Sequence, residues 1–326
     1  MQTESIQLPV SGPYDVLGKP VMLESDLSAL HAYMMQSFRL FDRAECRAPG
    51  PELRIRMDRL NQMSDARADH SLHFTVEECS LVADASGLRF RADRETGRAI
   101  GVMSVPYLSD PAWVRRNVLE CMALFLATGV DRTALHAAAL VRGNICVLLA
   151  GPSGAGKSTL SYALLHHGFD VLAEEAVYIS ENPVPRLYGH PASISLCPDC
   201  RETFPDLAHS EPVMLPNGKR KIRVDLTRTP FRQRCRFDFS GRIVVCFLSR
   251  GSKNRSEILE ITRDDMNGRL LMHRESGFDL STAFPGVIRR LSIEKAYELS
   301  NGGTVHETAM RLMETLKNLD KEPDRT

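Results

Sequence analysis

The sequence predicts an α/β domain over residues 129–326 and an α+β module over residues 1–128. Two observations predict the α/β domain. Residues 145–150 (ICVLLA) are a continuous apolar run, which is typical of a parallel strand buried on both faces. After a glycine-rich segment, residues 159–167 repeat apolar side chains at helical spacing and end before Gly168, a common helix terminator. This order places a glycine loop between a buried strand and the start of a helix.

The rest of the second half predicts further apolar strands and an amphipathic helix. Residues 169–173 (FDVLA) predict the next strand, which ends at two consecutive glutamates. Residues 242–248 (RIVVCFL) predict a third apolar strand. Residues 304–319 carry apolar side chains at helical spacing and predict a C-terminal amphipathic helix.

The first half mixes helices with alternating strands. Residues 26–41 predict a helix, preceded by the capping signals Glu24, Ser25 and Asp26. Residues 53–57, 72–76 and 88–91 alternate apolar and polar side chains, which predicts half-exposed antiparallel strands. Asp110 and Pro111 begin a second helix that extends to about Thr128, with proline at its first position.

Composition limits the class of protein. The chain has 326 residues, is 43% hydrophobic and 25% charged, and carries a formal net charge of +0, which fits one large or two modest globular domains. A neutral chain has no overall electrostatic attraction to nucleic acid or membrane. The N-terminus has no secretory pattern, and no apolar run approaches the roughly 20 residues of a spanning helix. We therefore expect a cytoplasmic protein without nucleic-acid or membrane partners, and leave homo-oligomer formation open.

Residues 151–158 (GPSGAGKS) match the pattern G-x-x-x-x-G-K-[ST] of a phosphate-binding loop, or Walker A motif. Glycines let backbone N–H groups approach phosphate oxygens, and the helix N-terminus adds its positive dipole end. Lys157 would neutralise phosphate charge and Ser158 would ligate Mg²⁺, so the motif predicts ATP and Mg²⁺ as ligands. The alternative is a chance glycine-serine loop. The predicted nucleotide-binding residues are Gly151, Ser153, Gly154, Ala155, Gly156, Lys157, Ser158 and Thr159.

Two acidic residues and a histidine are candidate catalytic groups. Glu174 and Glu175 end the strand that follows the loop helix, and ligands of open α/β sheets bind at that edge. One carboxylate, such as that of Glu174, can face Mg²⁺ while its neighbour accepts the proton of an acceptor hydroxyl; which glutamate does which stays open. His136, before the strand that leads to the loop, can support a phosphate. The alternatives are a solvated acidic turn and a structural histidine.

A turn at residues 217–218 is followed by concentrated positive charge. Lys219, Arg220 and Arg223 are candidates for screening phosphate charge or for docking an acidic peptide. The alternative is a solvated hairpin face. Further arginines continue the basic segment or follow the third strand, namely Arg228, Arg232, Arg234, Arg236 and Arg250.

The chain has 8 cysteines, and the closest pair is Cys197-Pro-Asp-Cys200. A single C-x-x-C is compatible with a redox pair or half of a zinc site, but no second pair stands at ligand spacing. We therefore expect a loop with two reduced thiols.

Taken together, the segment around His136, the loop at residues 151–158 and the strand ending in Glu174 and Glu175 resemble the HPr kinase/phosphorylase-like family. The basic segment at residues 218–221 is similar to that of shorter bacterial relatives, some of which phosphorylate precursor peptides in lasso-peptide clusters. The resemblance covers roughly residues 130–315, and the N-terminal module fits these relatives in outline only. The loop alone is shared with very many NTPases, so the combination carries the specificity.

The resemblance implies a fold related to phosphoenolpyruvate carboxykinase and transfer of phosphate from ATP to a serine hydroxyl. His136 matches the family histidine, and Glu174 and Glu175 stand where the family usually has Asp-Asp. The extra methylene displaces each carboxylate by about 1 Å, which alters a tuned site. The glycine-rich signature of the bifunctional members is not recognisable after the acids, so we expect no phosphorylase activity.

These observations predict an ATP- and Mg²⁺-dependent kinase that phosphorylates a serine hydroxyl of a peptide or small protein. The candidate catalytic residues are Glu174, Glu175, His136 and Lys157, and the candidate metal ligands are Ser158 and Glu174. Two alternatives remain: a nucleotide-gated binding module without efficient catalysis, which the Glu-Glu pair favours, and a small-molecule kinase, which a compact acceptor pocket would favour.

Overall fold

The computed structural model describes residues 8–41, 53–60, 71–77, 79–129, 131–181, 185–215, 218–228, 230–251, 255–274 and 284–319. The chain divides into two compact units, the first extending to Arg132 and the second beginning at Thr133. Both units combine helices with sheets, which confirms the predicted mixed α/β character. The functional domain boundary expected after residue 128 stays a prediction.

Within the described residues, unit 1 is built on a seven-stranded sheet with the order β1-β2-β3-β7-β6-β5-β4. The described helical segments of unit 1 include a 3₁₀ turn at Val105–Ser109 and a π-helical turn at Arg115–Glu120. The strands are β1 (Val10–Val16), β2 (Lys19–Ser25), β3 (Leu53–Arg59), β4 (His73–Glu77), β5 (Ser80–Ala85), β6 (Leu88–Asp93) and β7 (Arg98–Met103). The α-helices are α1 (Ser28–Ser37), α2 (Pro111–Val114) and α3 (Cys121–Thr128).

The strand positions predicted in unit 1 are confirmed, but the prediction of antiparallel pairing is wrong for β3. This strand runs parallel to β2 and to β7, whereas β4 and β6 have antiparallel partners. Alternation identifies a half-buried strand but carries no information about the direction of its neighbours. The segment between β2 and β3 contains α1, and a crossover of this kind brings a chain back in the parallel sense. In β4 every residue is exposed, so its predicted buried face is wrong.

The two helices predicted in unit 1 are present; the first, α1, has altered ends, whereas the second keeps its predicted ends and contains a π-helical turn at Arg115–Glu120. Ser25 belongs to β2, and α1 begins at Ser28 with no side-chain cap. Asp26 instead accepts a hydrogen bond from the backbone N–H of Arg59 at 2.9 Å. The second helix begins as predicted, because the Asp110 side chain accepts from the Trp113 N–H at 3.0 Å and Pro111 takes the first position.

In the described part of unit 2, three sheets have the orders β11-β9-β10-β18-β20-β19, β17-β13-β12-β8 and β14-β16-β15. The strands are β8 (Thr133–His136), β9 (Ala138–Arg142), β10 (Ile145–Ala150), β11 (Asp170–Ala173), β12 (Ala176–Ser180), β13 (Arg186–Tyr188), β14 (Ser193–Leu196), β15 (Val213–Met214), β16 (Arg220–Asp225), β17 (Asp238–Phe239), β18 (Arg242–Arg250), β19 (Glu257–Glu260) and β20 (Ile293–Asn301). The helices are α4 (Lys157–His166), α5 (Cys200–Thr203), α6 (Arg263–Leu271), α7 (Phe284–Arg290) and α8 (Val305–Leu319). The three predicted strands, the loop helix and the C-terminal helix are all confirmed.

Strand β10 explains why its sequence is apolar without alternation. Ile145, Val147 and Leu149 belong to the hydrophobic cluster that also contains residues of α4 and α8. The intervening Cys146, Leu148 and Ala150 belong to a second cluster on the other face, with residues of α6 and α7. Both faces of the six-stranded sheet are therefore covered, and a strand in its centre has no polar side.

The strand pairing around β10 determines at which edge of the sheet the site lies. β10 is parallel to β18, and β18 is parallel to β20. On the other side β10 is antiparallel to β9, which is in turn antiparallel to β11. The carboxyl ends of β10, β11, β18 and β20 therefore meet at one edge of the sheet, which is where open α/β sheets bind ligands. Among the helices of the described residues, none is both long and apolar enough to cross a bilayer.

A substitution at Gly189 tests how closely the chain packs against Leu172 in β11. A Cβ atom built at Gly189 would overlap the carbonyl oxygen of Leu172, whereas a Cβ at Gly268 in α6 meets nothing within 4 Å. We expect Gly189→Ala to lower the free energy of unfolding by about 3 kcal/mol, because the backbone must shift. Gly268→Ala is the matched control and should raise it by about 0.5–1 kcal/mol, because alanine favours the helix. Urea unfolding measures both, and equal effects would contradict the packing described.

Candidate active site

The glycine loop has a backbone that requires its glycines. Gly151, Gly154 and Gly156 have φ values of 155°, 81° and 97°, in the region that L side chains rarely adopt. A Cβ at Gly151 would lie 2.7 Å from the carbonyl oxygen of Leu248, and a Cβ at Gly156 would lie 2.9 Å from Asn301 Nδ2. The loop is therefore packed against β18 and β20 as closely as glycine permits.

Helix α4 begins directly after this loop and has no side chain that caps it. Its N-cap is Gly156, which offers no acceptor to the first N–H groups. The Lys157 ammonium turns back over the loop and donates to the carbonyl oxygen of Gly151 at 2.6 Å. The backbone N–H groups of the first helical turn and a lysine ammonium thus converge on one small region, a combination suited to an anion.

Two residues at the ends of neighbouring strands fix the loop. Arg250, the last residue of β18, donates from Nε to the carbonyl oxygen of Gly154 at 3.2 Å. Asn301, the last residue of β20, donates from Nδ2 to the carbonyl oxygen of Ala155 at 2.6 Å. Within the described residues, the buried Asn301 Oδ1 has no hydrogen-bond partner. Asn301 was not predicted from the sequence, because a strand-end asparagine far along the chain carries no motif.

The two glutamates lie where the chain passes from one sheet to another. β11 pairs with β9 and ends at Ala173, while β12 pairs with β8 and begins at Ala176. Glu174 and Glu175 are the connection between these strands, beside the loop. The Ser158 hydroxyl donates to Glu174 Oε1 at 2.7 Å, so the last motif residue and the first glutamate are in direct contact. Glu174 is half-buried and Glu175 is exposed.

Burial, followed by the charge of Glu175, raises the pKa of Glu174 to about 7. Hydrogen bonds from the Ser158 hydroxyl and from the backbone of Ser195, and the charge of Lys221, act in the opposite direction. A carboxyl with such a pKa holds a proton in part at neutral pH, and a cation bound beside it would displace that proton.

His136 lies beside the glutamates. It stands opposite Ala176 in the β8–β12 pair, and its backbone N–H donates to the carbonyl oxygen of His273 at 2.7 Å. Burial, and then the nearby charges of Lys157 and His136, lower the pKa of His273, which keeps this imidazole neutral. The structure therefore brings a second histidine to the site. His273 was not predicted, because it follows α6 outside any sequence motif.

The basic segment contributes through Lys221 and Arg223. In β16 Ile222 is buried, so Lys221 and Arg223 lie on the opposite face of the strand. Arg223 Nε donates to Ser193 Oγ at 3.1 Å, and Lys221 is the basic residue whose charge acts on Glu174. Lys219 and Arg220 are exposed, and Asn217, at the start of the predicted turn, lies outside the described residues.

The more distal arginines bind carboxylates on the surface of the unit. Arg234 and Arg236 contact Asp170 at 3.4 and 2.8 Å, and Arg228 contacts Asp225 at 3.2 Å. These ion pairs occupy side chains that the sequence left as candidates for phosphate or peptide binding.

The residues present fit a magnesium ion. A serine hydroxyl and a carboxylate oxygen in mutual contact are hard oxygen ligands, which Mg²⁺ prefers. Within the described chain, no group of three or more His, Cys, Asp or Glu side chains forms a metal site. Mg²⁺ is usually held by one or two carboxylates together with substrate phosphates.

Comparisons with known proteins add little to this geometry. No protein-family model matches the chain, and no curated protein matches it. Among solved structures, the chain is similar to an HPr(Ser) kinase/phosphatase from Coxiella burnetii, at 13% identity and a TM-score of 0.30, over 58% of this chain and 99% of that chain. A similarity of this size does not decide function, and membership of that family stays a prediction.

The raised pKa of Glu174 predicts that the stability of the protein depends on pH. The ordinary pKa of a glutamate is 4.5, whereas that of Glu174 is about 7 in the folded protein, so the folded state binds more protons between these values. The free energy of unfolding of the ligand-free protein should therefore fall as the pH rises from 4.5 to 7, and Glu174→Gln should remove this component.

Glu294→Gln is the matched control. Arg242 lowers the pKa of Glu294, so its contribution changes only below pH 4.5 and should be constant across the same window. Urea unfolding at successive pH values measures both differences from the unmodified protein. A difference for Glu174→Gln that does not change with pH would contradict the electrostatic description of the site.

Proposed function

We propose that this protein is an ATP- and Mg²⁺-dependent kinase that transfers the γ-phosphate to a hydroxyl, preferably a serine hydroxyl of a peptide or small protein. The observation that carries the proposal is the contact between Ser158 Oγ and Glu174 Oε1 at 2.7 Å. It joins the end of the glycine loop to the acidic corner, so that a polyphosphate held by the loop would have its terminal phosphate beside carboxylates.

The chain would bind the nucleotide mainly through its backbone. The uncapped N–H groups at the start of α4 would donate to phosphate oxygens, and Lys157 would exchange the carbonyl of Gly151 for a phosphate. Ser158 and Glu174 would hold Mg²⁺, which supplies charge neutralisation on the phosphates. Arg250 and Asn301 hold the loop carbonyls and so keep the N–H groups turned toward the ligand.

The division of roles between the glutamates follows from their exposure. Glu174 is half-buried and occupied by Ser158, which suits metal contact. Glu175 is exposed and adjacent, which suits acceptance of the proton from an incoming hydroxyl. The neutral His273 and its neighbour His136 can donate to a phosphate oxygen, and Lys221 places positive charge near Glu174.

A second candidate is a nucleotide-gated binding module with little catalysis. It is favoured by the raised pKa of Glu174, because a carboxyl that is partly protonated at neutral pH binds metal less readily. The two candidates differ in turnover and agree on nucleotide binding, so they are separable by the two experiments that follow.

Lys157→Met tests the nucleotide site. We expect ATP affinity in the presence of Mg²⁺ to fall by at least about tenfold, because a hydrogen bond to a charged group is lost. Transfer of label from γ-labelled ATP to serine-containing peptides should disappear. Lys317→Met, an exposed lysine of α8, is the matched control and should leave both quantities unchanged. Equal affinity of the two variants for ATP would contradict the proposed binding mode.

Glu175→Gln separates kinase from binding module. For a kinase we expect turnover to fall by about 100-fold or more, because proton abstraction is lost, while ATP affinity changes little. Glu202→Gln, an exposed glutamate of α5, is the control. Single-turnover transfer and equilibrium binding of ATP are measured in parallel. If the unmodified protein binds ATP but transfers phosphate to no hydroxyl acceptor, the kinase proposal is wrong and the binding module stands.

A further inference from the structure

The C-x-x-C segment has no role in the proposed reaction, yet it lies beside the site. Cys197 and Cys200 are the two ends of a tight turn between β14 and α5, in which the Cys200 N–H donates to the carbonyl oxygen of Cys197 at 3.0 Å. Both cysteines are free thiols. Cys197 is exposed and Cys200 is buried, so an oxidant in solution would reach Cys197 first.

Cys200 contacts the first turn of the loop helix. Its Sγ lies 3.6 Å from Thr159 Oγ1, and Thr159 directly follows Ser158 in α4. The Cys200 thiol therefore contacts the first turn of α4, whose backbone N–H groups and Ser158 hydroxyl face the proposed phosphate site.

Cys197 contacts the acidic side of the site through a lysine. The Lys221 ammonium donates to Cys197 Sγ at 3.0 Å, and the charge of the same lysine acts on Glu174. An exposed sulfur beside a lysine ammonium is in the type of environment that reactive cysteines occupy. The two thiols of one turn thus contact two different elements of the same site, α4 and β16.

We propose that Cys197 and Cys200 are an oxidation site, whose reversible disulfide weakens nucleotide binding at the adjacent loop. The oxidation site stands on the geometry of the two thiols, whereas its effect on a nucleotide rests on the function proposed above. The class of oxidant that fits is a peroxide.

The reaction balances in two steps. The Cys197 thiolate attacks one oxygen of the peroxide, so that an S–O bond forms, the O–O bond breaks and the leaving hydroxide takes up a proton to give water. The Cys200 sulfur, after losing its proton, attacks Cys197 Sγ; the S–S bond forms, the S–O bond breaks and a second water leaves. The two thiols lose two electrons and the peroxide is reduced.

Formation of the disulfide requires the two thiols to move from the positions in which they contact Thr159 and Lys221. Its sulfurs must come to about 2.05 Å of each other, which draws Cys200 Sγ away from Thr159 and Cys197 Sγ away from Lys221. Thr159 and Lys221 then lose the partners that hold them, and the site is less well ordered for a polyphosphate. When the order that one such hydrogen bond provides has to be restored on nucleotide binding, the affinity is weaker by about fivefold.

The bond itself is measured by mass spectrometry of the full-length protein treated with hydrogen peroxide. Trypsin releases residues 187–201, which contain Cys197 and Cys200 and none of the other cysteines. We expect this peptide to lose about two mass units by forming the disulfide, with restoration by dithiothreitol. Lys221→Gln should slow the loss several-fold, whereas Lys219→Gln, at the exposed residue just before β16, should not. No loss, or equal rates in the two lysine variants, would overturn the oxidation site.

The effect on the loop is measured as ATP affinity with Mg²⁺ before and after peroxide. We expect an approximately fivefold weakening in the unmodified protein, reversal by dithiothreitol, and no change in Cys197→Ser, with Cys79→Ser as a cysteine control that still responds. Unchanged affinity after complete oxidation would overturn the coupling. A protein that binds no ATP in either state would refute the proposed function, while the disulfide and its dependence on Lys221 would still be decided by mass spectrometry.

Discussion

Burial of β10 on both faces is the constraint on which the rest of unit 2 depends. Its alternate side chains fill two separate hydrophobic clusters, one beneath α4 and α8 and one beneath α6 and α7. Full burial of such side chains contributes about 1.5–3 kcal/mol each, so the strand cannot slip in register without exposing a large apolar area. With β10 fixed, the chain must leave the sheet at Gly151 and start α4 at Lys157, and the loop can only project from the carboxyl edge.

The chemistry of the site arises from neighbours that this edge brings together. The parallel partners of β10 end in Arg250 and Asn301, and each holds one carbonyl of the loop. On the other side of β10, strand β11 pairs with β9 and is followed by Glu174 and Glu175 at the passage into the second sheet, where His136 stands opposite Ala176. Half-burial of a carboxyl beside another carboxyl raises its pKa, and the Ser158 hydroxyl compensates only in part. Packing alone thus builds a site with a partly protonated carboxyl and a neutral imidazole, and a bound cation would favour the ionised form of Glu174.

Positive charge around the site is distributed unequally. Lys157 folds over the loop, and Lys221 donates to a thiol and acts on Glu174. Three arginines farther along the chain are ion-paired instead, Arg228 with Asp225 and both Arg234 and Arg236 with Asp170. Charge that already neutralises a surface carboxylate contributes little to ligand binding. The division of the basic segment into a part that faces the site and a part that is ion-paired therefore depends on the alternation of β16 and on the position of acidic partners in other strands.

Elements whose signal is local could be predicted from the sequence. The apolar run of β10, the glycine pattern and the amphipathic α8 were predictable because each depends on a short periodicity or on backbone freedom at one residue. The site around Glu174, His273, Asn301 and Lys221 was not fully predictable, because these residues lie far apart in the chain and meet only through strand pairing. The parallel pairing of β3 with β2 and β7 was not predicted, because it too depends on strands that lie apart in the chain. Tertiary structure decided which distant side chains share one edge of the sheet, since pairing direction and register are set by burial of whole faces, which no single segment encodes.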